Sequence, residues 1–353
     1  MATIQWSKKQ RDGHSLHQIP YRACFKPSLA TAFINHFSQP GDLVYDPFSG
    51  RGTTILEAAI LGRRGVANDL NPLMPYLLRP RLAPPTLPAV EARLAQLDLS
   101  YTDAIDEQLL VFYHEQTLRE LMALRKALSN DQVDGWIKLC TLSRLTGHSS
   151  GYLSVYTLPP NQATSVEAQR RINAKRNQEP DYRDVRTIVL KKTRQLLKDG
   201  VPTTYPPDVN VTTGDARHNK LLQENSVDLV LTSPPFVAEV TYTDDNWLRN
   251  WFIGLTPPTL DEDHKAFEWT NFIYDALVDQ RRVLKSGGTL CMEVGNTKSV
   301  DLCALVVDLC TTLKFVNVNV VEQSHDPSKT AAIWGAGKGK GTNKSFVVCA
   351  TKN

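Results

Sequence analysis

Two apolar runs, Leu43-Val44-Tyr45 and Val227-Asp228-Leu229-Val230-Leu231, each end in an unusual motif, and this pairing constrains the fold more than any other feature of the chain. The first opens into Asp46-Pro47-Phe48-Ser49-Gly50-Arg51-Gly52-Thr53-Thr54, the second into Thr232-Ser233-Pro234-Pro235-Phe236. Such runs read as buried strands, and open α/β sheets place their ligands beyond the carboxyl ends of strands. Both motifs are therefore expected along one edge of a sheet.

In the first motif, Gly50 and Gly52 permit a sharp turn and a close approach of backbone to ligand, and residues 53–60 open a helix whose N-terminal amides face the site. A nucleotide-like group suits this cradle. The run 65–67 then ends in Asn68-Asp69-Leu70, a second strand tip whose carboxylate can accept from ribose hydroxyls. Taken alone, the glycine pair is equally a plain strand-to-helix turn.

In the second motif, Pro234 and Pro235 fix the backbone and carry no N–H, leaving the Ser233 hydroxyl and the Pro234 carbonyl free to point outward. Two acceptors on the hydrogens of a planar nucleobase amine push its nitrogen toward a pyramidal, attacking form. Phe236 would stack on the base, a contact worth about 1–3 kcal/mol. An ordinary proline turn is the alternative for an isolated match.

Taken together these residues resemble the DNA amino-methyltransferases that use S-adenosylmethionine (AdoMet), and within them the cytosine-N4 group, whose signature is Ser-Pro-Pro-Tyr/Phe. The segments Ile19-Pro20-Tyr21-Arg22-Ala23-Cys24-Phe25-Lys26-Pro27 and Gly214-Asp215-Ala216-Arg217 are similar to further elements of that family, and the likeness covers about residues 14–78 and 208–352. It implies a cofactor site of Tyr21 and Phe25 beside the methionine part, Asp46, Pro47, Phe48, Ser49, Gly50, Gly52, Thr53 and Thr54 as the cradle, Asp69 and Leu70 at the ribose, and Asp215 and Ala216 at the adenine. Ser233, Pro234, Pro235 and Phe236 would be catalytic. The implied reaction is direct methyl transfer to the N4 amine of a cytosine flipped out of double-stranded DNA, serving epigenetic marking or restriction–modification with a companion restriction endonuclease. An adenine-N6 or RNA-base amino-methyltransferase, and a catalytically silent nucleic-acid-binding subunit, are the alternatives. In the sequence Gly214-Asp215 follows a long insertion, beside the second motif, which departs from the order in some relatives.

Further strands are expected at 209–211, 289–294, 315–321 and 346–350, with Lys285-Ser286-Gly287-Gly288 as a turn into the second of these. Helical patterns fall at 26–37, 53–61, 267–284 and 300–313. The alternation predicts a mostly parallel α/β sheet of seven strands, its last pair able to form a hairpin, and the resemblance implies the Rossmann-like class I methyltransferase arrangement. Residues 1–81 and 206–353 would form this core. Between them, 82–205 reads as a largely helical inserted domain, a DNA target-recognition region, bounded by Pro84-Pro85 and Pro206-Pro207, with helices at 90–97, 103–128, 133–145 and 185–197.

Residues 167–198 hold ten Lys or Arg against four acids, which predicts phosphate contact by Arg170, Arg171, Lys175, Arg176, Lys191, Lys192 and Arg194 unless the run is a solvated helix face. Lys338 and Lys340, in a glycine-rich stretch, are a second basic candidate. Tyr242, Asp245 and Trp247 are candidates for pocket contacts, although Trp247, Leu248, Trp251 and Phe252 also have the spacing of a core helix. The net charge of +3 is too small to argue for nucleic acid by itself. Six cysteines show no CxxC pair, so no metal and no disulfide framework is expected; His14 and His17 offer at most a metal half-site and otherwise belong to a surface loop. No apolar run is long enough to span a bilayer, and a soluble cytoplasmic protein is expected.

Overall fold

The apolar runs become seven strands: β1 (Leu43–Asp46), β2 (Arg64–Asp69), β3 (Val209–Thr213), β4 (Val227–Thr232), β5 (Leu284–Asn296), β6 (Phe315–Gln323) and β7 (Lys344–Lys352). The structure, a computed structural model, describes residues 13–22, 24–158, 162–235, 242–256, 266–296, 300–323 and 344–353. The strands form one sheet of order β3-β2-β1-β4-β5-β7-β6, parallel throughout except for the two ladders made by β7. This is the expected seven-stranded, mostly parallel Rossmann-like sheet, closed by the expected hairpin. Five of the six side chains of β4 are buried, which is why that strand reads as a nearly unbroken apolar run.

The helices are α1 (Pro27–Phe37), α2 (Thr53–Ile60), α3 (Met74–Leu82), α4 (Leu87–Gln96), α5 (Glu115–Ala127) and α6 (Gln132–Leu142) in the first half. They continue with α7 (Val166–Arg176), α8 (Val185–Leu196), α9 (Tyr242–Asp245), α10 (Trp247–Ile253), α11 (Ala266–Val283) and α12 (Leu302–Thr312). Residues of α1, α2 and α3 share an apolar cluster with Val44, Leu229, Leu231 and Cys291 on one face of the sheet. Residues of α11 and α12 cluster with Tyr45, Val230, Leu290 and Met292 on the other.

Residues 82–205 contribute α4 to α8, and their core is continuous with the first face: the same cluster runs through Leu118, Trp136 and Val189 to Leu248 and Phe252 of α10. α3, just before this stretch, and α7, within it, were not expected, and one expected helix is broken. α3 carries Pro75 in its first turn, where a missing N–H costs nothing, but also Pro80 inside, which masks the pattern. α7 buries only Gln169, so it has no apolar stripe to read. The stretch 103–128 is not one helix: Asp106 caps a short 3₁₀ turn at Glu107–Val111, and His114 Nδ1 accepts from the Gln116 N–H at 3.2 Å to begin α5. Lys285 to Gly288 lies within β5 as a bulge, where the ladder to β4 skips from Val227–Leu284 to Leu229–Thr289 and Gly287 takes φ 78°.

Candidate active site

The strand order reverses between β1 and β4, and at such a switch point an open α/β sheet leaves a crevice. Both motifs emerge there. Tyr21 and Phe25 line one side of the recess, Phe48, Ser49, Gly50, Thr53 and Thr54 the cradle, and Ser233 reaches in from the second motif. At its base, Thr232 Oγ1 donates to Asp46 Oδ1 at 2.6 Å, joining the two motifs through their strand ends.

The cradle is a sequence of short local bonds. Ser49 Oγ donates to the Asp46 carbonyl at 2.8 Å, Gly52 N–H to the Ser49 carbonyl at 2.6 Å, and Ser49 N–H to the Asn68 carbonyl of β2 at 2.9 Å. Gly50 and Gly52 take φ of 53° and 78°, left-handed values that favour glycine. A Cβ on Gly52 would lie 2.7 Å from Leu78, inside packed core, whereas one on Gly50 would face the Tyr21 ring at 3.5 Å. Beside Gly50 the nearest side chain is thus the Tyr21 ring, at ordinary contact distance. Aromatic walls, bare backbone and acids at neighbouring strand tips fit an adenosyl amino acid.

Asp46 lines the recess, and Asp69 and Asp215 stand at or just beyond the ends of the neighbouring strands β2 and β3. Asp46 is 3% exposed, and burial pushes its pKa up to about 7 despite the Thr232 hydroxyl and the Phe48 N–H, which favour the charged form. Asp69 accepts from Gly50 N–H at 2.6 Å and from Asn71 N–H at 2.8 Å, one bond per oxygen, and each oxygen has a further lone pair. Burial raises its pKa as well. Asp215, at the end of β3, is paired with Arg217 at 2.6 Å, and that guanidinium holds its carboxyl below the usual range. Leu70 is 48% exposed at the rim and Ala216 is buried. Pro47 lies under the cradle, its carbonyl accepting from Asn68 Nδ2 at 3.3 Å.

The second motif is anchored from the opposite face of the sheet. Trp269 Nε1 on α11 donates to the Pro235 carbonyl at 2.8 Å, so the Pro235 oxygen is engaged, while among the described residues none donates to the Pro234 carbonyl. Phe236 lies outside the described residues. Beyond it, Asp245 of α9 pairs with Arg22 at 3.0 Å, next to Tyr21. Asp245 also accepts Ala163 N–H through its carbonyl at 2.9 Å, while Trp247 Nε1 donates to the Thr164 carbonyl at 3.1 Å. Trp247 packs edge-on against Phe112 at 5.9 Å, in keeping with its spacing as a core helix residue.

Sequence reasoning missed two supports of the site. Asn68 Nδ2 donates to the Gly214 carbonyl at 2.9 Å while its Oδ1 accepts from Thr212 at 3.0 Å, which ties the tips of β2 and β3. Arg217 lies over Phe272 at 5.6 Å, and Phe272 abuts Phe48 at 5.7 Å, extending the aromatic wall. Neither carried a recognisable signal, since both depend on α11 and β3 meeting the cradle in space.

The basic candidates separate into groups. Arg170, Arg171, Lys175 and Arg176 are exposed on α7, with the Arg176 guanidinium 3.7 Å over the Tyr156 ring, and Lys191 is exposed on α8. Arg194 is exposed but paired with Glu91 at 2.8 Å. Lys192 corrects the expectation: it is 2% exposed, and its ammonium donates to the Gln18 carbonyl and to Gln195 Oε1. It faces the core because it shares the helix face of Val185, Ile188, Val189 and Leu196. Lys338 and Lys340 lie outside the described residues.

His14 and His17 do not sit together in a surface loop. His14 Nδ1 accepts from Leu16 N–H, while His17 is buried with Nε2 2.7 Å from Glu57 Oε2 on α2. Among the described residues no three His, Cys, Asp or Glu side chains are grouped to hold a metal ion, and no helix is long and apolar enough to cross a membrane.

A family model described as DNA methylase, covering the N6 and N4 enzymes, matches residues 3–74, the segment that contains the cradle. In this segment the chain is similar to the DNA amino-methyltransferase family. That family uses S-adenosylmethionine. The type II methyltransferase M.BsoBI of Geobacillus stearothermophilus is 25% identical over 304 residues, covering 75% of this chain and 57% of that protein. The type II methyltransferase M.MjaII of Methanocaldococcus jannaschii is 36% identical over 67 residues, covering 19% of this chain and 12% of that one. The chain thus spans little more than half the length of one of these relatives and a small part of the other. Among solved structures, the rRNA methyltransferase aviRa from Streptomyces viridochromogenes aligns over 96% of this chain and 90% of its own, at 14% identity and a TM-score of 0.38.

Proposed function

We propose that the chain transfers a methyl group from AdoMet to the exocyclic N4 amine of cytosine in double-stranded DNA. One observation carries this reading: Ser233 opens into the same recess as the Gly50 cradle, so a methyl donor held by the cradle and an amine held by the clamp would share one crevice. AdoMet bound there supplies an electrophilic methyl on a sulfonium. The protein's part is orientation. Ser233 Oγ and the Pro234 carbonyl accept the two amine hydrogens, which directs the nitrogen lone pair at the methyl carbon. Transfer would form the N–C bond as the S–C bond of the bound cofactor breaks, and the surplus amine proton would leave to solvent.

Asp69 has lone pairs to spare for ribose hydroxyls, Asp215 stands at the adenine end, and the recess beside Gly50 takes the methionine part. The target base must leave the duplex to reach Ser233. Residues 82–205 are the proposed target-recognition region, gripping phosphates through the exposed face of α7, whose preceding residues Ala163 and Thr164 are bonded to Asp245 and Trp247 beyond the clamp. Serine at the clamp is the feature that favours cytosine N4 over adenine N6.

The test is digestion of DNA incubated with purified protein and labelled AdoMet, followed by mass spectrometry of the nucleosides. Labelled N4-methylcytosine, absent with Ser233→Ala, is the expected result. Label on N6-methyladenine would overturn the base assignment, and no label in DNA would overturn the reaction.

A further inference from the structure

The backbone from Leu16 to Phe25, which supplies Tyr21 and Phe25 to the recess, is held by cationic side chains from four different elements. Arg51 of the cradle donates to the carbonyls of His17 at 3.2 Å and Ile19 at 2.8 Å, and reaches that of Phe25 at 3.5 Å. Arg81 of α3 reaches the Leu16 carbonyl at 3.4 Å and also donates to the carbonyl of Arg51 itself. Lys192 of α8 takes the Gln18 carbonyl, and Arg249 of α10 takes that of Pro20 at 3.1 Å. All four side chains belong to residues no more than 8% exposed.

Among the described residues, no carboxylate lies within ion-pair distance of Arg51, Arg81 or Lys192. A buried charge without a counter-ion is costly, and burial accordingly lowers the Lys192 pKa to about 7; the hydrogen bonds of these groups offset that cost only where they are well made. Here those bonds go to consecutive carbonyls, from 16 to 20, of the segment that runs from the single 3₁₀ turn Ser15–His17. A stretch with only that one turn of its own is thereby given a fixed path, with Tyr21 and Phe25 at its far end.

We infer that Lys192 is a positioning residue for the cofactor recess, through which the helical insertion holds the wall carrying Tyr21 and Phe25. This rests on the AdoMet reading of the recess. Arg249 is the matching support from the side of the clamp, and its guanidinium is braced by Asn246 Oδ1 at 2.5 Å. The insertion is then part of the cofactor site as well as a grip on DNA. Lys192, which the charge run alone assigns to phosphate, acts on AdoMet instead.

The experiment measures AdoMet binding to the purified full chain by calorimetry without DNA, and DNA binding by gel shift without AdoMet. Lys192→Met, close in volume and without the ammonium, is expected to weaken AdoMet about tenfold, as the loss of one charge-assisted hydrogen bond implies, with DNA affinity within about twofold of wild type. Lys192→Arg restores part of the loss. Arg249→Lys keeps the charge and shortens the reach; it serves as the second variant should Lys192→Met not fold, with weakening of about fivefold expected. Loss of DNA affinity with unchanged AdoMet binding, or unchanged AdoMet binding in both variants, overturns the inference. Wild-type protein that fails to bind AdoMet removes the reading of the recess itself, and this inference with it.

Discussion

The hydroxyl of Thr232, last residue of β4, donates to the carboxylate of Asp46, last residue of β1, across 2.6 Å in a fully buried setting. This bond links the strand that ends in the cradle to the strand that ends in the clamp. Thr232→Val keeps the shape and removes the donor. Loss of a buried hydrogen bond to a carboxylate is expected to cost about 1–3 kcal/mol, read by urea denaturation, together with a fall in kcat that exceeds any change in KM.

Asp46 also makes stability depend on pH. Its folded pKa, about 7, lies above the unfolded value near 3.8, so the folded state holds this proton more tightly. The stabilisation is complete below about pH 4 and is lost as pH rises through 7, by an amount on the order of 4 kcal/mol. His17 works in the opposite sense, since burial lowers its pKa to about 4, and its contribution, present above pH 6.5, is lost as pH falls toward 4. The two slopes offset each other in the wild type. Asp46→Asn is therefore expected to leave stability rising with pH between 4 and 7, whereas a profile unchanged from wild type would count against a buried proton on Asp46.

The two cradle glycines should fail differently. Gly52→Ala drives a Cβ to 2.7 Å from Leu78 at φ 78°, and the expected result is a protein destabilised by about 2 kcal/mol or more. Gly50→Ala meets only the Tyr21 ring at 3.5 Å, so its stability loss should stay near 1 kcal/mol. Its AdoMet affinity should fall more than tenfold because the methyl enters the recess proposed for the cofactor. Calorimetry on both variants checks the contrast.

Trp269→Phe removes the donor to the Pro235 carbonyl while leaving most of the ring packing. The clamp should loosen without unfolding. A decrease in kcat of about tenfold with little change in KM for AdoMet is the expected outcome in steady-state kinetics.

Removing Arg171 and Lys175 from the exposed face of α7 is expected to lower the slope of log Kobs for DNA against log salt by about 2, with little effect on AdoMet binding. An unchanged slope would make α7 a solvated helix face.

The legibility of this chain followed its periodicity. Every strand announced itself through an apolar run, and the parallel, buried β4 did so most clearly. α3 hid behind Pro75 and Pro80, and α7 behind a polar surface on nearly every side. Lys192 was misassigned because charge was read along the chain and not around the helix, although its spacing from Val185, Ile188, Val189 and Leu196 places it inward. For the site, Tyr21, Phe25, Asp46, Phe48, Ser49, Gly50, Thr53, Thr54 and Ser233 line one recess, whereas Trp269, Asn68 and the cationic side chains around residues 16–20 act through contacts between distant segments that no local pattern encodes.

The neighbours that create the crevice, β1 and β4, are separated in the chain by β2, the whole helical insertion and β3. During synthesis the cradle leaves the ribosome long before the strand that must lie beside it, so a nascent chain halted within the insertion has its glycine turn but no partner for that flank of β1. Pairing across such a separation is slow to find. The growing protein therefore passes through a stage in which a central strand of the finished sheet is still an open edge, with its row of backbone donors and acceptors unpaired until β4 arrives.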